Sequence, residues 1–474
     1  MAKPIRILLL VIASLVVLAV AALLLAWWLV DTERAGEHLE TRFAEALDME
    51  VDIGKPPVLN LFQGASITLV DPELRREGQV LFRADSVRVR MDMYSLLSGD
   101  LRPIEIHLQQ PELSIERISP GVFNIQPPGI EGAAFDEMSL RRVQFTDARL
   151  SFLDRESEIE WLLEDCDMDL RDLGHAGGEM QQVLATLATK GDLHCNKLSQ
   201  DQFTAFDLSI GIEADQGFFE VTPVSATVFE GALSGQLTAD FSVNPPEFSL
   251  ASQLSQFDLA AFMAMLEPES TTPGKMDLDV DLNAHGETWQ TIRNSAAGTV
   301  VLTSGELILE GYDLDEELDD YSATQRFNLI DVGAVFLAGP VGLVASRGYA
   351  FTGLLEGSEG STRIEQMVSQ WRIDDGVAQA SDVAFRTPKN RLALAGALDF
   401  NEYRFDDMRV AVVDSEGCPI VEQRITGPFR EPEVEQPNFL VTVAGPLLDL
   451  VDRGVRAITD EDCEAFYTGS IQHP

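Results

Sequence analysis

Positive charge is scarce in this chain. Its 474 residues hold 34 Lys and Arg against 78 Asp and Glu, a formal net charge of −44. That balance excludes a nucleic-acid binder, which must set a basic face against phosphate. It also excludes attachment to anionic headgroups through basic clusters. Catalytic signatures are missing too. The chain has no Gly-x-Ser-x-Gly, no His-Glu-x-x-His, no Walker loop and no Gly-x-Gly-x-x-Gly. The six histidines, His38, His107, His175, His194, His285 and His473, are not paired at metal-ligand spacing. Asp277, Asp279 and Asp281 look like the start of a calcium loop, but Leu282 and Thr288 stand where that loop needs its Gly and Glu. Alternation with Leu278, Val280 and Leu282 reads them instead as the outer face of a strand. The run Asp313–Asp320 reads as a solvated acidic turn. The expectation is a non-enzyme with no metal site and no cofactor.

Cysteine is also sparse: Cys166, Cys195, Cys418 and Cys463. No Cys-x-x-Cys occurs, which leaves a zinc ribbon or thioredoxin-like motif unsupported. Four cysteines allow three pairings, and proximity along the chain favours Cys166–Cys195 and Cys418–Cys463.

What the chain does have is one long apolar run. Ile7–Val30 is 24 residues with a single polar member, Ser14. This is enough to cross a bilayer as a helix and longer than the core of a signal peptide. Lys3 and Arg6 precede it and Asp31 and Glu33 follow it, so the positive-inside rule puts residues 1–6 in the cytoplasm. The expectation is a single-pass anchor with most of the chain in the compartment where disulfides persist. A second apolar stretch at 329–345 contains Asp331 and Pro340 and reads as a buried helix.

Past the anchor, 35–47 has helical spacing, and then the period changes to two. Val87 to Met93 alternates strictly, as do Ile104 to Leu108 and Leu113 to Glu116. Similar runs recur at 203–212, 220–229, 232–241, 276–282, 298–309, 362–373 and 391–400. Short alternating strands with turn signals between them predict an antiparallel sheet, apolar on one side and wet on the other. Helices are expected only at 178–189, 258–266, 324–346 and 446–460. Such a one-sided sheet needs a cover. It can form a sandwich, a barrel, or a trough whose apolar floor holds something else.

Specific motifs add to this. Leu96-Leu97-Ser98-Gly99-Asp100-Leu101, then Ile104 to Arg117 with Pro111, then Gly121-Val122-Phe123-Asn124, resemble the N-terminal signature of the AsmA family of double-membraned bacteria. Gly298–Asp315 and Gly376–Phe400 resemble recurrent elements of its C-terminal half. Cys418-Pro419-Ile420 through Phe466-Tyr467-Thr468-Gly469 is similar to members with a C-terminal cysteine pair.

The resemblance implies a mainly β protein with few helices: an N-terminal transmembrane helix, then an elongated, curled antiparallel β-groove with an apolar interior. It implies bacterial inner-membrane attachment, a periplasmic bulk and movement of phospholipid for outer-membrane biogenesis. Partners would be phospholipid, the inner membrane, and an envelope protein or a second copy, but not nucleic acid. The implied divisions are 1–6, 7–30, 31–154, 155–295 and 296–474. Val87, Val89, Met91, Ile104, Ile106, Leu108, Leu113 and Ile115 are the candidate floor for acyl chains. A sandwich core is the alternative for each of them. A scaffold for outer-membrane protein assembly, binding clients at strand edges, is the alternative function.

Overall fold

The computed structural model describes residues 44, 49–60, 65–92, 103–119, 122–124, 137–178, 180–266, 273–310, 313–316, 318, 360–436, 438–439 and 463–474. The expected anchor and the expected helices at 324–346 and 446–460 lie outside them. Among the described residues no helix is long and apolar enough to cross a membrane. They include 26 strands and, as complete elements, three helices, so the chain is mainly β. They group into two compact units, one up to Gly174 and one from His175.

The first unit contains β1 (Glu50–Asp52), β2 (Lys55–Asn60), β3 (Ser66–Val70), β4 (Glu73–Arg76), β5 (Gln79–Arg83), β6 (Ser86–Met91), β7 (Pro103–Gln109), β8 (Glu112–Ser119), β9 (Val122–Phe123), β10 (Met138–Asp154) and most of β11 (Ile159–His175). The short strands join in pairs. β7 and β8 meet β10 with the same residue offset, so they are one strand interrupted at Gln110 and Pro111. β5 and β6 likewise run on into each other opposite β8 and β7, and β4 and β3 opposite them. At each interruption one extra residue is inserted. Asp71, Gln110 and Asp147 take positive φ there, as does Gly54. Asp suits this conformation because its side chain is short and polar. The inserted residues form a line of β-bulges across the sheet, where strands bend.

One expectation needs correcting here. β10 runs parallel to β7 and β8. Eighteen residues separate Ser119 from Met138, enough chain for β10 to enter from the same end as β8, whereas a tight hairpin would force it antiparallel.

The second unit is an antiparallel meander. It runs through β12 (Ala188–Gln200), β13 (Phe203–Asp215), β14 (Phe218–Val228), β15 (Gly231–Asp240), β16 (Glu247–Asp258), β17 (Gly274–His285) and β18 (Ala297–Glu310). β19 (Ser361–Ile364) pairs one end of β18, and β20 (Gln366–Asp374) pairs the rest. β21 (Val377–Arg386), β22 (Arg391–Asp399), β23 (Arg404–Val413) and β24 (Pro419–Pro428) follow in order, with β25 (Glu433–Val434) and β26 (Asn438–Phe439) against β24. Among the described residues β12 does not pair with β24, so the sheet is open.

Two-residue hairpins such as Gln216-Gly217 and Asp375-Gly376 have positive φ at both positions, as type I′ turns require. Helices α1 (Met180–Thr186), α2 (Leu259–Leu266) and α3 (Trp289–Asn294) fill the breaks. The first two fall inside expected helical stretches. The third was not expected, although Thr288 and Thr291 form its capping box.

The last strands are sealed on one face by the chain's own end. Tyr467 and Ile471 pack onto Val368, Ala384, Ala393, Ala411 and Val413. The Tyr467 hydroxyl donates to Asp382 Oδ1 at 2.6 Å and accepts from the Ile471 N–H at 3.0 Å. Arg391 donates to the Ile471 carbonyl at 3.0 Å, and the Cys418–Cys463 disulfide ties the segment down. Tyr467→Phe keeps the ring, strands the buried Ile471 N–H and removes one hydrogen bond from the half-buried Asp382. It should lower unfolding free energy by about 1–2 kcal/mol in urea titration. An unchanged midpoint would mean that the hydroxyl does not hold the tail.

Candidate functional site

Six of the eight floor residues fall into cross-strand rows. Ile67, Val89, Ile106 and Val143 are successive partners across β3, β6, β7 and β10. Leu69, Val87, Leu108 and Phe145 form the next row. Beyond the bulges come Leu74, Phe82, Leu113 and Leu150, then Ile115 opposite Phe152. Leu108 and Leu113 are five positions apart, an odd spacing that would normally place them on opposite faces. The residue inserted at the bulge restores the same face. Met91 lies opposite Pro103, where a register shift passes over Ile104. All eight are half-buried.

The opposite face is polar. Arg90 and Arg142 flank Glu105, and Arg88 and Gln144 flank His107. His107 is half-buried, and burial, reinforced by Arg88 and Arg142, lowers its pKa. Arg142 grips Asp169 with two bonds of 2.7 and 2.8 Å. This hydrogen-bonded fork holds the Asp169 carboxyl below the usual carboxylate range, against the opposing effect of burial. A depressed pKa means that the contribution is complete above the unfolded carboxylate value near 4 and is lost as pH falls through the folded value. Arg142→Met should therefore cost up to about 1 kcal/mol at neutral pH, modest because the arginine is half exposed. The difference from the parent protein should shrink below about pH 4 in acid titrations. A difference that persists there would exclude Asp169 as its source.

The second unit has longer apolar lanes across its strands. One lane is Ile212, Val221, Leu237, Leu250 and Leu282 on β13 to β17. Its neighbour is Ile210, Val224, Gly235, Ser252, Val280 and Val300, ending on Trp371. Leu237 and Leu250 are 39% and 36% exposed, so this apolar face is open to solvent at its middle. Aromatic clusters edge it. Phe229 and Phe257 pack against Phe262 of α2 on one side, and Phe219, Phe241 and Phe248 stack edge to face on the other. Alternation predicts β13, β14, β15 and β17 but not β16, and no apolar residue in these strands stands out. Gly235, Ser252 and the alanines dilute the apolar alternation.

The acidic residues have structural roles. Asp279 and Asp281 are exposed, as alternation required. Asp277 instead accepts from the Gln256 N–H at 2.8 Å and from its side-chain amide at 2.9 Å. Gln256 is a positive-φ bulge, and Asp277 caps it. Within 313–320, Asp315 is not merely solvated: it accepts from Thr387 and Asn390 at 2.7 and 2.6 Å. Among the described residues no group of three His, Cys, Asp or Glu side chains could hold a metal ion. Cys166 and Cys195 are both buried and disulfide-bonded, and none of the four cysteines is free. Asp277→Ala should destabilise the protein by about 1–2 kcal/mol and Asp279→Ala by less than about 0.5 kcal/mol in denaturant titrations. Equal effects would refute the capping role.

The family comparison falls on the second unit. A model described as the AsmA family matches residues 175–383, from the end of β11 into β21. The chain thus carries an AsmA-family region. The match includes the Gly298–Asp315 element and the open lanes of β13 to β17. The Val87–Asn124 signature and the C-terminal cysteine pair lie outside it. No curated protein and no solved structure matches the chain.

Proposed function

We propose that this is a non-catalytic, inner-membrane-anchored periplasmic protein that carries phospholipid along an apolar β-groove for outer-membrane biogenesis and homeostasis. The observation that carries the reading is the open apolar lane through Leu237 and Leu250. A sheet that only needed a core would bury this row, because exposed large apolar residues in contiguous register gain nothing from folding. AsmA-family membership fits lipid binding in an envelope setting. Ile7–Val30 would hold the protein at the membrane that supplies the lipid.

The energetics suit the task. Each methylene taken out of water contributes about 0.8 kcal/mol, so a dozen suffice to offset extraction of an acyl chain. The headgroup would stay wet at the open side while the chains lie on the floor. No covalent chemistry is needed.

Native mass spectrometry of the purified full-length chain should recover bound phospholipid. Ile106→Asp and Leu250→Asp should each lower the bound fraction at least about twofold while shifting stability by less than about 1 kcal/mol, since both positions are incompletely buried. Recovery of no phospholipid from folded protein would count against the groove. Unfolding of both variants would point to a closed core.

A further inference from the structure

This inference rests on the phospholipid reading and concerns where the acyl path ends. The middle of the Ile210-to-Val300 lane is its lowest part. Gly235 lies so close to the next strand that a Cβ there would stand 2.9 Å from the Ala251 carbonyl oxygen, and Ser252 beside it is small. Val280, next along, is half-buried. Burial then rises sharply: Val300 is 7% exposed and Trp371, its partner on β20, is 0% exposed. The indole N–H of Trp371 donates to Ser369 Oγ at 2.9 Å, which fixes the ring, and the small Ala380 lies opposite it on β21.

The Leu302 lane closes at the same place, and the Leu282 lane, half-buried at Gly298 and Ile373, closes one strand later at Ala378, which is 0% exposed. Leu302 faces Ser369, which faces Val383, and both residues beyond Leu302 are 1% exposed. The reverse face of these strands is occupied by Tyr467 and Ile471, so β20 to β23 are filled from that side too. An acyl chain advancing past Val300 would have to displace an indole held by a hydrogen bond.

We propose that Trp371 is the stop of the acyl path: chains lie on β13 to β17 and end against β18 and β20. Trp371 then sets how much chain the floor accepts, and β20 to β24 are a closed end rather than more conduit. At about 4.8 Å between strands, the open floor from β13 to β17 extends roughly 20 Å.

The test uses the full-length chain in detergent with phosphatidylethanolamine bearing a diazirine at the end of one acyl chain. After irradiation, adducts are mapped by peptide mass spectrometry. The expected adducts lie on peptides of β15 to β17, at least about tenfold above those containing Leu392–Leu398. Trp371→Leu should extend them into β21 and β22. Val280→Trp, on the half-buried floor where folding tolerates more, should shift them back toward β13 and β14 and so tests the stop even if the first variant fails to fold. Equal labelling of β21–β23 in the parent protein, or an unchanged map in Val280→Trp, would overturn the stop while leaving the groove intact. Adducts nowhere in the chain would overturn the phospholipid reading and the stop with it.

Discussion

The hydrogen-bonded register of the β ladder is the constraint on which the rest depends. A strand slipped by one residue turns its apolar set to the wet side. Here every strand keeps its apolar residues in line with its neighbours', although several strands carry an extra residue. Asp147 in β10 and the break at Gln110 in β7 and β8 occur at the same level, so the insertions cancel across the sheet. In the second unit, Gln256 plays this part opposite Asp277, and Asp407 opposite Gly396. The bulges let strands bend without losing the common apolar face.

The same constraint explains part of the acid excess. Asp71, Asp147, Asp165, Asp172, Asp207 and Asp407 all have positive φ, a conformation that Asp adopts more readily than bulkier residues. Others bridge elements: Asp277 caps a bulge, Asp315 holds the Thr387–Asn390 turn, and Asp382 receives the tail. The remainder, such as Asp279 and Asp281, coat the outer strand face. Charge, backbone geometry and sheet curvature are therefore coupled in this chain.

Burial divides the second unit along its length. The lanes are half-exposed or exposed from β13 to β17 and mostly buried from β20 onward, with Trp371, Phe385, Leu392 and Leu398 at 0% exposure. One meander of uniform topology thus has an open apolar stretch and a closed stretch with the burial of a core. Small residues in the open part, at Gly235 and Ser252, contrast with Trp371 at the boundary. That contrast gives the apolar face a direction.

Local pattern was enough for the mainly β class, for strands such as β7, β13 and β17, for helices α1 and α2 and for the one-sidedness of the sheet, because a period of two and turn residues are short-range properties; it did not mark β10 to β12, β16, β23 or β24. It also placed Val87, Val89, Ile106, Leu108, Leu113 and Ile115 on one face. Their grouping into rows, the parallel placement of β10 and the joining of β7 to β8 depend on pairing between segments distant in sequence, to which local pattern is blind. So does the difference between an open lane and a core. Leu250 and Leu392 are both leucines on alternating strands; only the tertiary structure decides that one stays exposed and the other is sealed, because exposure depends on what packs above a residue and not on what stands beside it in the chain.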